Sequence, residues 1–458
     1  MSAATPPDAP ARRRSRDELR AAGRAAAQRV PIASHGAWIP ARDRPDPVAL
    51  LADQATTRFP DLVAIRHGRM AVSPFTFYRG AALPMAADLA ATDSTGITVQ
   101  LCGDAHLSNF GLFASPERDL IFDINDFDET RHGPFEWDVK RLAGSIVVAG
   151  RDRGFAAHDS RRAAMRAARS YRTHIAEYAA TRAIDVYYAR VDTASVLAYA
   201  EKRARPFLKQ TVKAAVRRDA LHELPKLTEV GPDGRRRIVD RPPVITHRPE
   251  ASHDITAASL SSYRESLAED RRVLLDRYEM VDVAMKVVGV GSVGLGSFAA
   301  LFMGEGDDDP LFLQVKQAEA SVLERFLGPS SQPSHGARVV SGQRRLQAVS
   351  DVMLGWFVGP GGRHWYVRQL QDQKGGAVIE AMTIDDLAAW GDLCGWALAR
   401  GHARSGEPAE IAGYLGDGDA FDDAIGRFAE AYADQTKRDH AAFVAAIDAG
   451  TLPAERGV

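Results

Sequence analysis

Leu101-Cys-Gly-Asp-Ala-His-Leu-Ser-Asn109 and Phe122-Asp-Ile-Asn-Asp-Phe-Asp-Glu129 are two short segments in which ionisable and amide side chains are concentrated. Each segment continues a run of β-branched and aliphatic residues, which predicts a short strand. Any single aspartate after a strand could be a turn or capping residue. Several carboxylates close together repel one another unless a cation or a proton lies among them, which favours a metal or phosphate site. The acidic, amide and histidine side chains that flank the two predicted strands are Asp104, His106, Asn109, Asp123, Asp126 and Asp128.

The spacing within the first segment is typical of a phosphoryl-transfer loop. Asn109 lies five residues after Asp104, the separation found in kinase catalytic loops. We predict that Asp104 accepts the proton of an attacking hydroxyl, and that Asn109 and Asp126 hold a magnesium ion that bridges the phosphates. Asp123 competes with Asp126 for the ligand role. His106 could contact a phosphate or could be an ordinary loop histidine.

A glycine-rich segment, Val287-Val-Gly-Val-Gly-Ser-Val-Gly-Leu-Gly296, precedes two apolar runs that are joined by an acidic turn. In a dinucleotide-binding fold these glycines would lead into a helix, whereas in a kinase-like fold they would form a flexible hairpin over a triphosphate. The chain leaves no room for a helix before Gly304, and the second run ends on Lys316, which favours the hairpin. The residues predicted to cover the phosphates are Gly289, Gly291, Ser292 and Gly294.

Lys316 is predicted to reach the phosphates from its strand. A buried ammonium needs a carboxylate partner, and we expect Glu324 rather than Glu319, within a predicted helix over residues 317–327. A surface lysine on an edge strand is the alternative. Arg79 could bind the phosphates through its guanidinium, or could pair with a carboxylate that holds the fold together.

Three further elements are predicted around these segments. Asp138 lies at the start of a helix, where its carboxylate would cap the helix or brace the loop. Residues 346–357 and 364–370 are predicted to continue the strands of the glycine-rich region. Residues 387–402 have the apolar face and the glycine stop of a helix.

Composition limits the class of protein. With 458 residues, of which 45% are hydrophobic and 26% charged, the chain can bury two or three cores. Its net charge of −2 supplies no field that would gather nucleic acid. Cys102 and Cys394 fit neither a disulfide framework nor a zinc site, which suggests the cytoplasm. The N-terminus lacks the apolar segment of a signal peptide, and no membrane span is expected.

Four regions are predicted along the chain. Residues 1–35 are expected to be a disordered tail and lead-in. Residues 36–270 would form the helical part that carries the acidic segments, with an exposed excursion near 226–255. Residues 280–372 would be rich in strands and bind the nucleotide, and residues 383–458 would be helices that pack on the helical part.

The Gly-Asp-Ala-His-Leu-Ser-Asn and Asn-Asp-Phe-Asp motifs resemble the catalytic loop and the metal-binding strand of aminoglycoside and choline phosphotransferases, a branch of the protein-kinase-like superfamily. Over nearly its whole length the chain more closely resembles a bacterial family catalogued as a domain of unknown function. Cys102 stands where kinases have a histidine. The segments that carry the closer resemblance are Arg69–Gly80, Cys102–Gly111, Asp123–Glu129, Glu136–Leu142 and Gly289–Lys316.

The first resemblance implies an α/β (α+β) protein-kinase-like fold, with a small antiparallel β-rich lobe and a larger helical lobe. It also implies an ATP- and magnesium-dependent phosphotransferase that acts on a small hydroxyl- or amine-bearing molecule. Here the glycines follow the catalytic loop by about 185 residues, the reverse of the kinase order, so either the fold is circularly permuted or the glycine segment is something else. Three other functions stay open: a metal-dependent phosphoesterase that uses the Asp/His/Asn cluster, a non-catalytic nucleotide-binding module, and nucleotidyl transfer to a protein.

Overall fold

The computed structural model of the protein describes residues 13–199, 203–217, 220–232, 234–248, 253–287, 289–306, 308–370 and 374–457. Helices and strands are mixed along the chain, and the strand pairs of the described residues are antiparallel. The described part thus has the mixed α/β character that the sequence predicts.

The helices of the described residues are α1 (Arg16–Arg29), α2 (Pro47–Ala55), α3 (Pro60–Met70), α4 (Pro74–Gly80), α5 (Ala82–Ala90), α6 (Phe135–Asp152), α7 (Ala157–Ala180), α8 (Ala183–Tyr188), α9 (Thr193–Tyr199), α10 (Arg205–Val216), α11 (Ala220–Leu227), α12 (Ala257–Glu265), α13 (Glu269–Leu275), α14 (Glu324–Leu327), α15 (His335–Leu346), α16 (Ile384–Ser405), α17 (Pro408–Leu415) and α18 (Ala420–Asp448). The strands are β1 (Thr98–Leu101), β2 (Phe110–Ala114), β3 (Leu120–Ile124), β4 (Arg131–Pro134), β5 (Val191–Asp192), β6 (Thr228–Val230), β7 (Arg236–Ile238), β8 (Ile245–Thr246), β9 (Glu279–Lys286), β10 (Ser297–Met303), β11 (Pro310–Ala318), β12 (Gly355–Val358) and β13 (His364–Gln369).

Four long helices, α6, α7, α16 and α18, pack around the largest apolar core. The helix predicted over residues 387–402 is confirmed as α16, which begins earlier because Thr383 and Asp386 form a capping box. Through this packing, the C-terminal helices lie against the helices that follow the acidic segments. None of the helices in the described ranges is both long and apolar enough to cross a lipid bilayer.

One sheet of six strands has the order β12-β13-β11-β10-β9-β8. The glycine-rich segment connects β9 to β10, so the prediction of a hairpin rather than a helix start is confirmed. The pairing of β10 with β11 sets Ser297 opposite Lys316. Lys316 is only 2% exposed and β11 has paired strands on both sides, so Lys316 is not the surface lysine of an edge strand.

Two smaller sheets position the acidic segments. β1 pairs with β4, and β2 pairs with β3, which also pairs with β5. The predicted strands that precede Asp104 and Asp126 are confirmed as β1 and β3. Both strands bury apolar side chains in the core under the long helices, and this packing fixes where the two following loops begin.

The prediction of a disordered tail over residues 1–35 is wrong for its second half. Residues 1–12 lie outside the described ranges, but Arg16–Arg29 form α1, which starts at a capping box between Ser15 and Glu18. The helix is anchored by close packing, because the backbone at Gly23 approaches α17 so tightly that a side chain there would meet the Glu410 carbonyl at 2.0 Å.

Two predicted elements differ around the six-stranded sheet. The predicted helix over residues 317–327 is replaced by the end of β11 and the single turn α14. The predicted strand over 346–357 is also wrong in most of its length, because α15 runs to Leu346 and β12 begins only at Gly355. A helix between two strands of an antiparallel sheet was not visible in the short apolar runs of this region.

The boundary predicted at residue 270 also differs. Residues Ile245–Thr246, within the predicted excursion, form the edge strand β8 of the six-stranded sheet. Tyr263 and Leu267 of α12 and its following turn share an apolar cluster with Phe357 and Trp365 of that sheet. The strand-rich part of the molecule therefore begins well before residue 280.

Candidate functional site

The loop after β1 holds Asp104 in a constrained backbone. Gly103 has a φ of +84°, and a side chain there would meet the Glu129 carbonyl at 2.1 Å, so glycine is required. The Asp104 carbonyl accepts hydrogen bonds from Asn109 Nδ2 at 2.7 Å and from the His106 amide at 2.8 Å. The loop is thus closed by its own residues, with Asp104 and Asn109 fixed relative to each other.

A brace behind this loop comes from two helices. The Asp138 carboxylate, on α6, accepts the backbone amides of Cys102 at 2.7 Å and Gly103 at 3.0 Å, which confirms its predicted role as a brace. On α16, His402 places Nε2 3.2 Å from Asp138 and Nδ1 2.9 Å from the Tyr171 hydroxyl. The groups that brace this loop therefore come from α6 and α16 and not from the loop itself.

The Asp104 carboxylate is largely buried and paired with one arginine. Arg141 Nε and Nη2 each lie 2.8 Å from Asp104 Oδ1, and the aspartate side chain is 18% exposed. Burial, which outweighs the attraction of Arg141, raises the pKa of Asp104 to about 6, and nearby Asp126 adds to the rise. His106 Nε2 lies 3.6 Å from Asp104 Oδ2, and burial lowers the pKa of His106 well below its ordinary value, so the imidazole is neutral.

Lys316 reaches the acidic segments from β11. Its ammonium is in direct contact with Asp128 Oδ2 and lies 3.7 Å from Asp126 Oδ2, and Tyr366 donates a hydrogen bond to Asp128 Oδ1 at 2.8 Å. Burial alone would raise the pKa of Asp128 and lower that of Lys316, but the charge of Lys316 lowers the pKa of Asp128, and the charges of Asp126 and Asp128 raise the pKa of Lys316. Both groups are therefore charged, and the strand-rich and acidic parts of the chain meet at this ion pair.

The predicted pairing of Lys316 with Glu324 is wrong. Glu324 instead accepts the backbone amides of Ser321 at 3.3 Å and Ser330 at 3.2 Å, and lies 3.3 Å from Arg338. The reason is the missing helix, since β11 continues past the lysine and places Glu324 in a separate turn that it stabilises.

Asp123 does not belong to the cavity that Asp126 lines, so the prediction of Asp123 as an alternative metal ligand is wrong. It lies within β3, fully buried, and both of its oxygens are within 2.7 Å of Arg400 Nη2. It also accepts the backbone amides of Ile124 and Ala348, each at 2.9 Å. With its carboxylate fully used, Asp123 has a structural role.

The glycine loop, residues 289–296, lies against the segment that joins α2, α3 and α4. The Phe59 amide donates to the Gly294 carbonyl at 2.8 Å, and Arg69 Nη1 donates to the Gly289 carbonyl at 2.8 Å. Gly289 and Gly294 have φ angles of +72° and +93°, which other residues rarely adopt. The loop is therefore tied down at both ends, in contrast to the flexible hairpin that the sequence predicts.

A cavity of about 100 Å³ lies where these parts meet. The predicted residues that do not line it are Lys316, Asp123, Gly294 and Glu324, although Lys316 contacts Asp128 and lies 3.7 Å from Asp126, which both line it. The predicted residues that line it are Arg79, Asp104, His106, Asn109, Asp126, Gly289, Gly291 and Ser292. Residues predicted from two distant segments of the sequence thus share one space.

The donor set of this cavity suits a magnesium ion bound together with phosphates. Asn109 uses Nδ2 for the loop, and its Oδ1 accepts no hydrogen bond from the described residues. Within the described ranges, Asp126, whose side chain is 33% exposed, accepts a hydrogen bond only from the Asp128 amide, at 3.1 Å. Magnesium needs only a few protein ligands when phosphates and water complete its coordination shell, and one carboxylate and one amide oxygen suffice. Among the described residues no group of three or more His, Cys, Asp or Glu side chains could hold a metal ion.

Several residues in and around the site were not predicted from the sequence. Arg141 contacts Asp104, Arg58 and Arg66 line the cavity, and His402 contacts the brace Asp138, yet the sequence assigned none of the four a role. Arg141 could have been found from its spacing, because it lies one helical turn after the brace Asp138. The other three depend on tertiary contacts alone.

The model of a family described as uncharacterized proteins conserved in bacteria (DUF2252) matches residues 58–446. The chain belongs to this family. A search of curated proteins and a search of solved structures gave no match. The matched range includes both acidic segments, the glycine loop and Lys316, so the whole candidate site lies within the family's domain.

Proposed function

We propose that this family member is a phosphotransferase that uses ATP with magnesium and acts on a hydroxyl or amine of a small molecule. The observation that carries the proposal is the shared cavity. The acidic floor, defined as Asp104, Asn109 and Asp126, faces the same space as Gly289, Gly291 and Ser292 of the glycine loop. A phosphoryl-transfer site needs this combination of a base, hard oxygen ligands and backbone amides around the phosphates.

The order of the strands supports a kinase-like, circularly permuted arrangement with a small β-rich lobe and a larger helical lobe. The glycine loop joins two adjacent strands, β9 and β10, and the next strand, β11, carries Lys316. A kinase orders its glycine loop and lysine in the same way, but encodes them before the catalytic loop. Because a site depends on geometry rather than on chain order, encoding the acidic floor first leaves its chemistry unchanged.

Each residue has a definite part in the proposed reaction. The acceptor oxygen or nitrogen forms a bond to the terminal phosphorus of ATP, the bond from that phosphorus to the bridging oxygen breaks, and ADP leaves. Asp104 takes the proton that the acceptor loses, which requires the carboxylate form. The Lys316 ammonium adds positive charge beside the phosphates. Asn109 and Asp126 would hold the magnesium ion, which neutralises negative charge on the phosphates.

The phosphoesterase alternative is disfavoured by the position of Lys316. A two-metal site needs its carboxylates for two cations about 4 Å apart. Here the ammonium of Lys316 already lies against Asp128 and 3.7 Å from Asp126. The other two alternatives, a non-catalytic module and nucleotidyl transfer to a protein, stay predictions.

A thermal-shift titration with ATP and magnesium tests the proposal. Wild type should gain about 2.7 kcal/mol at a ligand concentration of 100 times Kd, because the ligand binds only the folded state. The gain should shrink strongly in Asp126→Ala and in Lys316→Ala, each compared with its own unliganded melting temperature. Asp185→Ala, which removes an exposed carboxylate from a surface ion pair, is the control and should respond like wild type. No gain in wild type, or equal gains in all variants, would contradict the proposal.

A further inference from the structure

Three arginines from the N-terminal helices line the same cavity as the acidic floor. Arg58 lies just before α3, Arg66 lies within α3, and Arg79 lies within α4. We call these three residues the arginine wall. Arg58 is 7% exposed and Arg66 is fully buried, so this positive charge lies inside the protein.

The hydrogen bonds of the arginine wall go only to neutral groups. Arg58 Nη1 donates to the Val293 carbonyl, and Arg66 Nη2 donates to the Gly80 carbonyl at 2.9 Å and to Gln54 Oε1 at 3.1 Å. None of the three guanidinium groups forms an ion pair with a residue that the structure describes. Buried nitrogens that have no hydrogen-bond partner are Arg58 Nε, Arg66 Nε, Arg66 Nη1 and Arg79 Nε.

Buried cations without a counter-charge are costly, so they are uncommon outside binding sites. Burial lowers the pKa of Arg58, Arg66 and Arg79 alike, in agreement with this cost. Three other buried arginines near the acidic segments, Arg141, Arg338 and Arg400, each pair with a carboxylate. The arginine wall therefore lacks the negative partner that comparable arginines of this protein have.

The arginine wall is continuous with the glycine loop. The stem of Arg58 packs on Gly294, where an added side-chain carbon would come within 3.0 Å of it. Gly291 also lies close to the backbone of Arg79, since a side-chain carbon added there would be 3.3 Å from the Arg79 carbonyl. A ligand beneath the glycine loop would thus meet guanidinium groups on one side, with Asp104 and Asp126 lining the same cavity.

We propose that the arginine wall binds a phosphoryl group, which is either the terminal phosphate of the nucleotide or a phosphate ester on the acceptor. A planar guanidinium donates paired hydrogen bonds to a phosphate, and the dianion supplies the missing counter-charge. This inference rests on the proposed function, because the two possible sources of the phosphate are the nucleotide and the acceptor of that reaction. It favours the phosphate-binding interpretation of Arg79, because Arg79 forms no ion pair with a carboxylate of the described residues.

The test measures binding of pyrophosphate and of glycerol phosphate by thermal shift and by calorimetry. Whichever of the two anions, pyrophosphate or glycerol phosphate, binds to the wild type should bind about 10- to 100-fold more weakly to Arg58→Gln and to Arg79→Gln. This loss is expected when a charge-assisted hydrogen bond is removed. The unliganded melting temperatures of both variants should be unchanged or higher than that of wild type, since each removes a buried charge without a partner. Arg182→Gln, which removes an exposed arginine paired with Asp185, is the matched control.

The two anions identify the source of the phosphate. Loss of the pyrophosphate response in the variants assigns the arginine wall to the nucleotide, and loss of the glycerol phosphate response assigns it to the acceptor. The inference is overturned if neither anion stabilises wild type, or if the variants respond as wild type does while melting at lower temperature. ATP with magnesium separates the two proposals: an anion response without an ATP response rejects the proposed function and retains the arginine wall.

Discussion

This protein has buried charges in two neighbouring regions, which differ in whether the charges have oppositely charged partners. Behind the loop that carries Asp104, the Asp138 carboxylate is shared between backbone amides and His402, and the Asp123 carboxylate is saturated by Arg400 and backbone amides. In the cavity, Arg58, Arg66 and Arg79 form no ion pair with a carboxylate of the described residues. An oppositely charged partner satisfies a buried charge within the fold, whereas a buried charge without such a partner is expected where a ligand supplies it.

Asp123 and Asp126 show this difference between two carboxylates that are close together in the sequence. They are separated by two residues, at the end of β3 and just after it, and either could have been the metal ligand from the sequence. Asp123 is fully buried and every oxygen is used, while Asp126 is one-third exposed and borders the cavity. The end of the strand separates a structural carboxylate from one that is available to a ligand.

The largest expected effect is on stability, in Asp123→Asn. The substitution leaves the fully buried Arg400 without its counter-charge, which costs about 3–5 kcal/mol when a buried ion pair loses one partner. Urea denaturation measures the free energy of unfolding. The expected result is a strongly lowered midpoint.

Asp126→Asn is the matched control, because it is the same chemical change close by in the same segment. Lys316 keeps its contact with Asp128, so the unliganded stability should change little, while the response to ATP and magnesium is lost. If Asp126→Asn destabilised the protein as much as Asp123→Asn, the distinction between the two carboxylates would be wrong.

A smaller effect is expected in the pH dependence of phosphoryl transfer. Burial raises the pKa of Asp104 to about 6, and the base must be ionised, so kcat/KM should rise with pH through about 6 and then level off. Arg141 opposes the rise of this pKa, so Arg141→Gln should move the rising limb to higher pH. The profile can be followed by ATP hydrolysis in the absence of an acceptor.

Asp104→Asn is the control for this profile. It should lower the rate by roughly 10²- to 10⁴-fold, the usual contribution of a general base, and should remove the rising limb. A limb that persists near pH 6 in Asp104→Asn would assign the titration to another group.

The parts of the site that were predictable from sequence are those with local signatures. Apolar runs marked β1 and β3, and the acidic turn between two further runs marked the hairpin that ends on Lys316. The amphipathic helix α16 was readable from its periodicity. The α1 helix had a readable signal too, since Ser15 and Glu18 have the spacing of a capping box.

The remaining parts depend on contacts between residues far apart in the chain. The choice of Asp128 over Glu324 as the partner of Lys316 follows from the path of β11, which the sequence does not specify. Likewise, Arg400 meets Asp123 across 277 residues. The sequence also does not indicate which arginines have a carboxylate partner, because those partners come from distant parts of the chain.

We propose that the acidic floor and the glycine loop bind one nucleotide between them. A crystal structure with manganese and a non-hydrolysable ATP analogue tests it most directly, because manganese gives an anomalous signal. We expect an anomalous peak beside the oxygens of Asn109 and Asp126, with the triphosphate under residues 289–292. A nucleotide bound elsewhere, with no metal at Asp126, would contradict it.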